Sequence, residues 1–221
     1  MAQDELFIRM TEAVIDGEKE RAVELAQEAL HLEIPPLEAI NKGYIVGIQK
    51  VGELFEKGDF FLPELVMGAE AMQAALAVLE PELKRRHQKR ERLGSAIAGT
   101  VEGDIHQIGK RLVCTMLVAN GFDVLDLGPD VAAETFIEKV RELQPDLLLL
   151  SALMTTTMPE QRSVIEALKG AGLRDRVKVM VGGAAVSPSW AEEIGADGYA
   201  ENAIEAVEVA KGLVKAFWQS D

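Results

Sequence analysis

The chain has 221 residues, of which 48% are hydrophobic and 27% charged, and its formal net charge is -14. That apolar share excludes a disordered chain, and the length allows one large or two modest domains. So acidic a balance disfavours nucleic acid and anionic lipid as main partners.

Up to about Glu80 the apolar residues recur at helical spacing. Leu6, Phe7, Met10, Val14 and Ile15 form a first stripe, which breaks at Asp16 and Gly17. Val23, Leu25, Ala26, Ala29 and Leu30 form a second, which stops before Pro35 and Pro36. A longer helix is predicted through Ile40, Tyr44, Ile48, Val51, Leu54 and Phe55, ended by Gly58. A fourth starts near Leu62 and Pro63, where a first turn tolerates proline, and continues to Leu79. Four helices with short connections predict an antiparallel bundle. The N-terminus lacks a basic start and a long apolar core, so no signal peptide is expected. Apolar runs such as that from Leu147 to Met154 are too short to span a bilayer, and no membrane partner is expected.

Between Pro81 and Gly94 the composition turns polar and mostly basic, with Lys84, Arg85, Arg86, His87, Lys89, Arg90 and Arg92. Without interleaved aromatic residues this is a helix end running into a solvated linker rather than a nucleic-acid patch. The expected domains are a helical one over 1–88, a linker over 89–94 and a second domain over 95–221. In that second part, strand-like runs at 95–101, 123–127, 147–153, 177–181 and 198–200 alternate with helical patterns at 107–119, 132–143, 159–171, 188–194 and 203–217. Leu147 to Leu150 are apolar on both faces, as in a central parallel strand. The fold class is therefore α/β: a helical bundle followed by a doubly wound, flavodoxin-like sheet of five parallel strands. Ligands in such sheets bind beyond the carboxyl ends of the strands.

The chemistry-bearing residues fall at those ends. Asp104-x-His106 leaves the first strand, and a carboxylate holding one imidazole nitrogen prepares the other for a metal. A lone loop histidine is more commonly just solvated. One histidine also cannot build a protein-made metal site, so a metal here would arrive in a macrocycle. After the third strand come the hydroxyls of Ser151, Thr155, Thr156 and Thr157, after the fourth Gly182 and Gly183, and at the fifth Gly198. Paired glycines allow close backbone approach to a ligand, though loops are rich in glycine and serine anyway. Cys114, on an apolar helix face, is expected to be a small buried residue rather than a nucleophile. A single cysteine allows no internal disulfide and suits the cytoplasm. His31 and His87 are expected to face solvent, and the acidic surface is a solvated face that could steer a basic partner.

Asp104-x-His106-x-x-Gly109, Ser151-x-Leu153 and Gly182-Gly183, in this order, resemble the cobalamin-binding signature of methionine-synthase-like corrinoid proteins and adenosylcobalamin mutases. Val51, Gly52, Phe55, Gly58, Phe61, Leu62, Pro63 and Glu64 resemble the helical cap that precedes that domain in methionine synthase. Taken over nearly the whole chain, the resemblance is to the free-standing corrinoid proteins that serve methylamines, methanol or methoxylated aromatics. It implies a cobalamin whose cobalt cycles between Co(I) and methylcobalamin, carrying a methyl group between two methyltransferases. It implies His106 as the lower axial ligand to cobalt and Asp104 as its support. Thr157 stands where the family has a serine in the same relay. Ser151 would contact the displaced nucleotide tail, Gly109, Gly182 and Gly183 would let that tail pass, and Leu153, Thr155 and Gly198 would also bind the cofactor. Phe55 and Leu62 would shield the upper face of cobalt, although ordinary bundle core would explain them too. The implied partners are a substrate-specific methyltransferase, an acceptor methyltransferase using tetrahydrofolate or a thiol, and a reductive activator. Such a carrier has no catalytic residues of its own. A cobalamin-dependent regulator would need a DNA-binding segment, which is not visible before Glu80. A mutase subunit would need a partner barrel. A response-regulator-like domain would place a phosphoacceptor aspartate where Ser151 stands.

Overall fold

A computed structural model describes residues 2–86 and 92–218. They form two compact units, a helical one and an α/β one that starts at Arg92. His87 and part of the expected linker, residues 89–91, lie outside the described residues, and Gly94 already belongs to the first strand.

The helical unit holds α1 (Ala2–Ile15), α2 (Lys19–His31), α3 (Pro36–Ala39), α4 (Ile45–Lys57) and α5 (Leu62–Arg85). A π-helical turn, Ile40–Tyr44, joins α3 to α4, so the long third helix carries a local bulge that its apolar spacing did not reveal. Helix α4 ends at Gly58 in the left-handed conformation, the cap that a side chain disfavours. Helix α1 packs closely on the third helix because Gly43 and Gly47 face Met10 and Val14. A Cβ there would lie 2.8 and 2.7 Å from the Met10 and Val14 Cβ atoms.

Tyr44, on the π-helical turn, is fully buried and donates its hydroxyl to the Ala22 carbonyl at 2.7 Å, tying the turn to α2. Burial pushes its phenol pKa well above the ordinary value. Tyr44→Phe would remove this bond while the Ala22 carbonyl keeps its place in the α2 ladder, and urea denaturation should show a loss of about 1 kcal/mol.

One sequence expectation needs correction. The stretch Leu62–Leu83 of α5 is long and apolar enough to cross a bilayer by length and composition. Its apolar residues are spread over the helix rather than joined in a run, so in the sequence they read as the stripe of a bundle helix. Leu65, Ala69, Met72, Ala75 and Leu79 are buried, and acidic residues such as Glu64 and Glu80 interrupt the stretch. It is accounted for as the core helix of the bundle.

In the α/β unit, strands β1 (Gly94–Thr100), β2 (Phe122–Asp126), β3 (Leu147–Ser151), β4 (Lys178–Gly182) and β5 (Gly198–Tyr199) form one parallel sheet in the order β2-β1-β3-β4-β5. Helices α6 (Ile108–Ala119), α7 (Ala133–Leu143), α8 (Pro159–Gly170), α9 (Pro188–Ile194) and α10 (Ala203–Trp218) connect and flank them. All four leucines of β3 are buried, as a central strand requires. Beneath α7 and α8, Ile97, Phe136, Leu148, Leu150, Ile165 and Val179 make one continuous core. Strands β1 and β3 are neighbours although β2 lies between them in sequence. The order in which strands are added reverses there, and the crevice beyond their carboxyl ends is the expected ligand position.

Strand β3 ends at Ser151, two residues before the expected boundary. The Ala152 N–H still reaches the Gly182 carbonyl at 3.1 Å, but the Leu153 N–H has left the ladder for a side chain of the site. Cys114 is buried on α6, and desolvation pushes its thiol pKa up to about 12, which makes it inert. His31, the last residue of α2, is exposed.

Candidate functional site

The loop from β1 to α6 is held at several points before it presents a histidine. Gly103 turns the chain at φ +77°, and its N–H donates to Asp130 Oδ1 at 2.7 Å. The Asp130 N–H donates in return to the Asp104 carbonyl at 2.9 Å, and the Thr100 hydroxyl donates to the His106 carbonyl at 3.1 Å. Asp104 itself is completely buried. Its Oδ1 accepts the backbone N–H of His106 at 2.9 Å and faces His106 Nδ1 at 2.8 Å. Its Oδ2 accepts the Leu153 N–H at 2.7 Å and the Thr157 hydroxyl at 2.8 Å.

Burial alone would raise the pKa of Asp104. The hydrogen bonds from His106, Leu153 and Thr157 outweigh it and hold the carboxyl well below the usual range. Asp104 is therefore ionised at neutral pH and has no proton to give. The proton of the contact sits on His106 Nδ1, which leaves the lone pair of neutral imidazole on Nε2. The His106 side chain is 47% exposed while its partner carboxylate is 0% exposed. The arrangement is a buried anion bracing one ring nitrogen and an accessible second nitrogen ready to donate to a metal.

The surroundings suit a metal that brings its own macrocycle. Among the described residues no three His, Cys, Asp or Glu side chains converge to hold a bare ion. Ile105 and Ile108, on either side of His106, are 71% and 81% exposed, and Leu153 and Met154 on the facing loop are also exposed. Such apolar exposure around one ligating nitrogen is what a broad, largely apolar tetrapyrrole would cover.

Asp104, His106, Leu153 and Thr157 thus come together, and Ser151 pairs with Gly182 in the β3–β4 register. Thr155 is exposed on the same loop as Thr157. The glycines differ among themselves. A Cβ on Gly109 would meet nothing within 4 Å, and one on Gly182 would sit 3.4 Å from the Ala200 carbonyl oxygen. Gly183 has φ +125°, and a Cβ there would fall 1.9 Å from the Ala152 carbonyl oxygen, so the chain's own course demands glycine. Gly198 lies under α10, with a Cβ 2.8 Å from Val209 Cγ1. Phe55 and Leu62 belong to the helical unit, on either side of the Gly58 turn. Phe55 is half-buried and Leu62 exposed.

Three residues that support the site carried no signal in the sequence. Asp130 staples Gly103, as described. Lys110, in the first turn of α6, is buried and paired with Asp126 at the end of β2, whose Oδ1 also accepts the Gly128 N–H at 2.9 Å. Gln161, in the first turn of α8, is fully buried and hydrogen-bonded at both ends of its amide. In the sequence, each looks like an ordinary polar residue beside an apolar stripe.

Residues 94–208 match the family described as "B12 binding domain", and residues 6–80 match a second family of the same description. Fold, site and these matches define a cobalamin-binding protein, with cobalamin as its cofactor. Trimethylamine corrinoid protein 2 of Methanosarcina acetivorans is 48% identical over 96% of this chain and 98% of its own length. Dimethylamine corrinoid protein 3 of the same organism is 50% identical over 95% of this chain and 97% of its own. The crystal structure of the methanol:cobalamin methyltransferase complex MtaBC from Methanosarcina barkeri superposes with a TM-score of 0.83 at 32% identity, covering 96% of this chain and 80% of that one. The chain belongs to the corrinoid protein family that these relatives represent.

Proposed function

We propose that this chain is the methyl-carrying subunit of a methylamine methyltransferase system, with His106 as the residue that would hold the cofactor's cobalt. The observation that carries the reading is the buried Asp104 holding Nδ1 of a half-exposed imidazole at the switch point of the sheet. When bound, cobalamin supplies a cobalt centre able to accept a methyl group from one partner and release it to another. The protein's part is to hold and orient. Asp104 fixes the tautomer of His106 and raises its donor strength. Leu153 and Thr157 hold Asp104, and Ile105 and Ile108 offer apolar cover against water. In the family relay a serine stands in the place of Thr157, and the hydroxyl contact at 2.8 Å supports threonine in the same role. Ser151, Gly109 and Gly182 would flank the detached nucleotide tail.

The partner is a methyltransferase, as in the methanol complex that this chain resembles. Methylamines are favoured over methanol as donors because the trimethylamine and dimethylamine relatives are 48% and 50% identical, against 32% for the methanol complex. An acceptor methyltransferase using tetrahydrofolate or a thiol would remove the methyl group. A reductive activator would restore the cofactor after stray oxidation. The site lies in the α/β unit; for Phe55 and Leu62, in the helical unit, the shielding role rests on the family resemblance alone.

The test is reconstitution. The purified chain should take up cobalamin with the cofactor's own lower base displaced. Given a methylamine methyltransferase, it should then acquire radiolabelled methyl from trimethylamine, dimethylamine or monomethylamine in preference to methanol. A polypeptide that stays colourless when offered cobalamin, or accepts label only from methanol, would refute this reading.

A further inference from the structure

The carboxylate behind His106 is only as well placed as the loop that grips it. Both groups on Asp104 Oδ2, the Leu153 N–H and the Thr157 hydroxyl, come from the segment between the end of β3 and the start of α8. That segment is exposed over 153–156, so packing does little to fix its course. Its two ends are joined by one side chain. Gln161 Nε2 donates to the Leu150 carbonyl of β3 at 2.9 Å and to the Gly182 carbonyl of β4 at 3.2 Å. Gln161 Oε1 accepts the indole N–H of Trp190 from α9 at 3.0 Å. The amide thereby joins two strands and two helices with every partner satisfied, and its orientation is fixed because the carbonyls need the donor and the indole needs the acceptor.

We propose that Gln161 is a positioning residue for His106, closing the 151–158 loop so that Leu153 and Thr157 hold Asp104 in register beneath the imidazole. It touches neither His106 nor the cofactor face. Its effect passes along one chain of contacts: Gln161 to the loop ends, the loop to Asp104, and Asp104 to Nδ1. The proposal rests on the reading of His106 as axial ligand, and the test separates the two.

The protein is prepared with histidine labelled with heavy nitrogen, loaded with cobalamin and reduced to paramagnetic Co(II). A ring nitrogen of His106 on cobalt then splits the electron paramagnetic resonance lines into doublets, whereas the cofactor's unlabelled base would give triplets. The parent should show doublets. Gln161→Leu keeps the volume but removes all three hydrogen bonds. It should lose more than half of the doublet intensity and bind cobalamin about tenfold more weakly, the lower end of what outer-shell partners of a metal ligand contribute. Trp190→Phe removes the bond to Oε1 and part of the indole's packing, keeps both bonds from Nε2, and should show a smaller loss in the same direction. Val207→Ala, in the packing of α10, serves as a control for general destabilisation and should leave the doublet intact. A full doublet and parental affinity in Gln161→Leu overturn the proposal, as does an unchanged doublet in Trp190→Phe if Gln161→Leu fails to fold. Triplets in the parent would remove the axial role of His106 and the proposal with it.

Discussion

His106→Ala should bind cobalamin about 100-fold more weakly or worse, and the complex that does form should show the cofactor's own base, or water, on cobalt. The expectation follows from the geometry of one residue. The imidazole stands 47% exposed, yet its backbone N–H, its carbonyl and its Nδ1 are all tied, to Asp104 Oδ1 at 2.9 Å, to the Thr100 hydroxyl at 3.1 Å and to Asp104 Oδ1 at 2.8 Å. Nε2 is thus delivered at a fixed place, and little rotamer entropy remains to be lost on ligation. Removing the ring leaves the loop nearly intact, because the backbone contacts do not need the side chain. The buried Asp104 carboxylate does lose one hydrogen bond, so the apo variant should denature about 1–2 kcal/mol below the parent. Urea denaturation checks the stability, and equilibrium titration with cobalamin, followed by absorbance, checks the affinity and the spectrum. Parental affinity and an unchanged spectrum would end the axial assignment.

That loop was legible in the sequence because its signals are local. Asp104 and His106 are two residues apart, and the apolar runs around them mark a strand and a helix. The all-leucine β3 announced a central strand, and Gly58 marked a helix end for the reason the structure confirms, a left-handed cap. What the sequence hid is carried by distance. Thr157 meets Asp104 across 53 positions, and only resemblance to a family suggested it. Gln161 reaches two carbonyls and an indole that no periodicity connects to it. The reason for Gly183 was also non-local, since it answers to the Ala152 carbonyl just beyond the end of β3. The end of β3 was placed too late for a related reason. An apolar run says nothing about where an N–H leaves a ladder to bind a carboxylate.

Asp104→Asn should damage both stability and ligation, and the two losses share one cause. Each carboxylate oxygen faces a backbone N–H, that of His106 on one side and that of Leu153 on the other. An amide has one acceptor oxygen and one donor group, so in either orientation its NH2 points at a backbone donor. At least one buried N–H loses its partner, along with a charge-assisted bond. The expected cost is about 3 kcal/mol in urea denaturation at pH 7. If the NH2 faces the imidazole, the ring must turn its lone pair to Nδ1 and its proton to Nε2, the wrong tautomer for a metal. If instead it faces Leu153, the ring keeps its tautomer but loses the charge that strengthens it. Cobalamin affinity should fall about 10- to 100-fold either way. The pH dependence gives an independent check. The folded-state pKa of Asp104 is depressed, so its stabilisation is complete above the unfolded value of about 3.9, diminishes below it, and is gone once the pH falls through the folded value. The stability gap between parent and Asp104→Asn should therefore be constant from pH 7 down to about 5 and narrow only at lower pH. A gap that widens on acidification would show that Asp104 is not held as the anion.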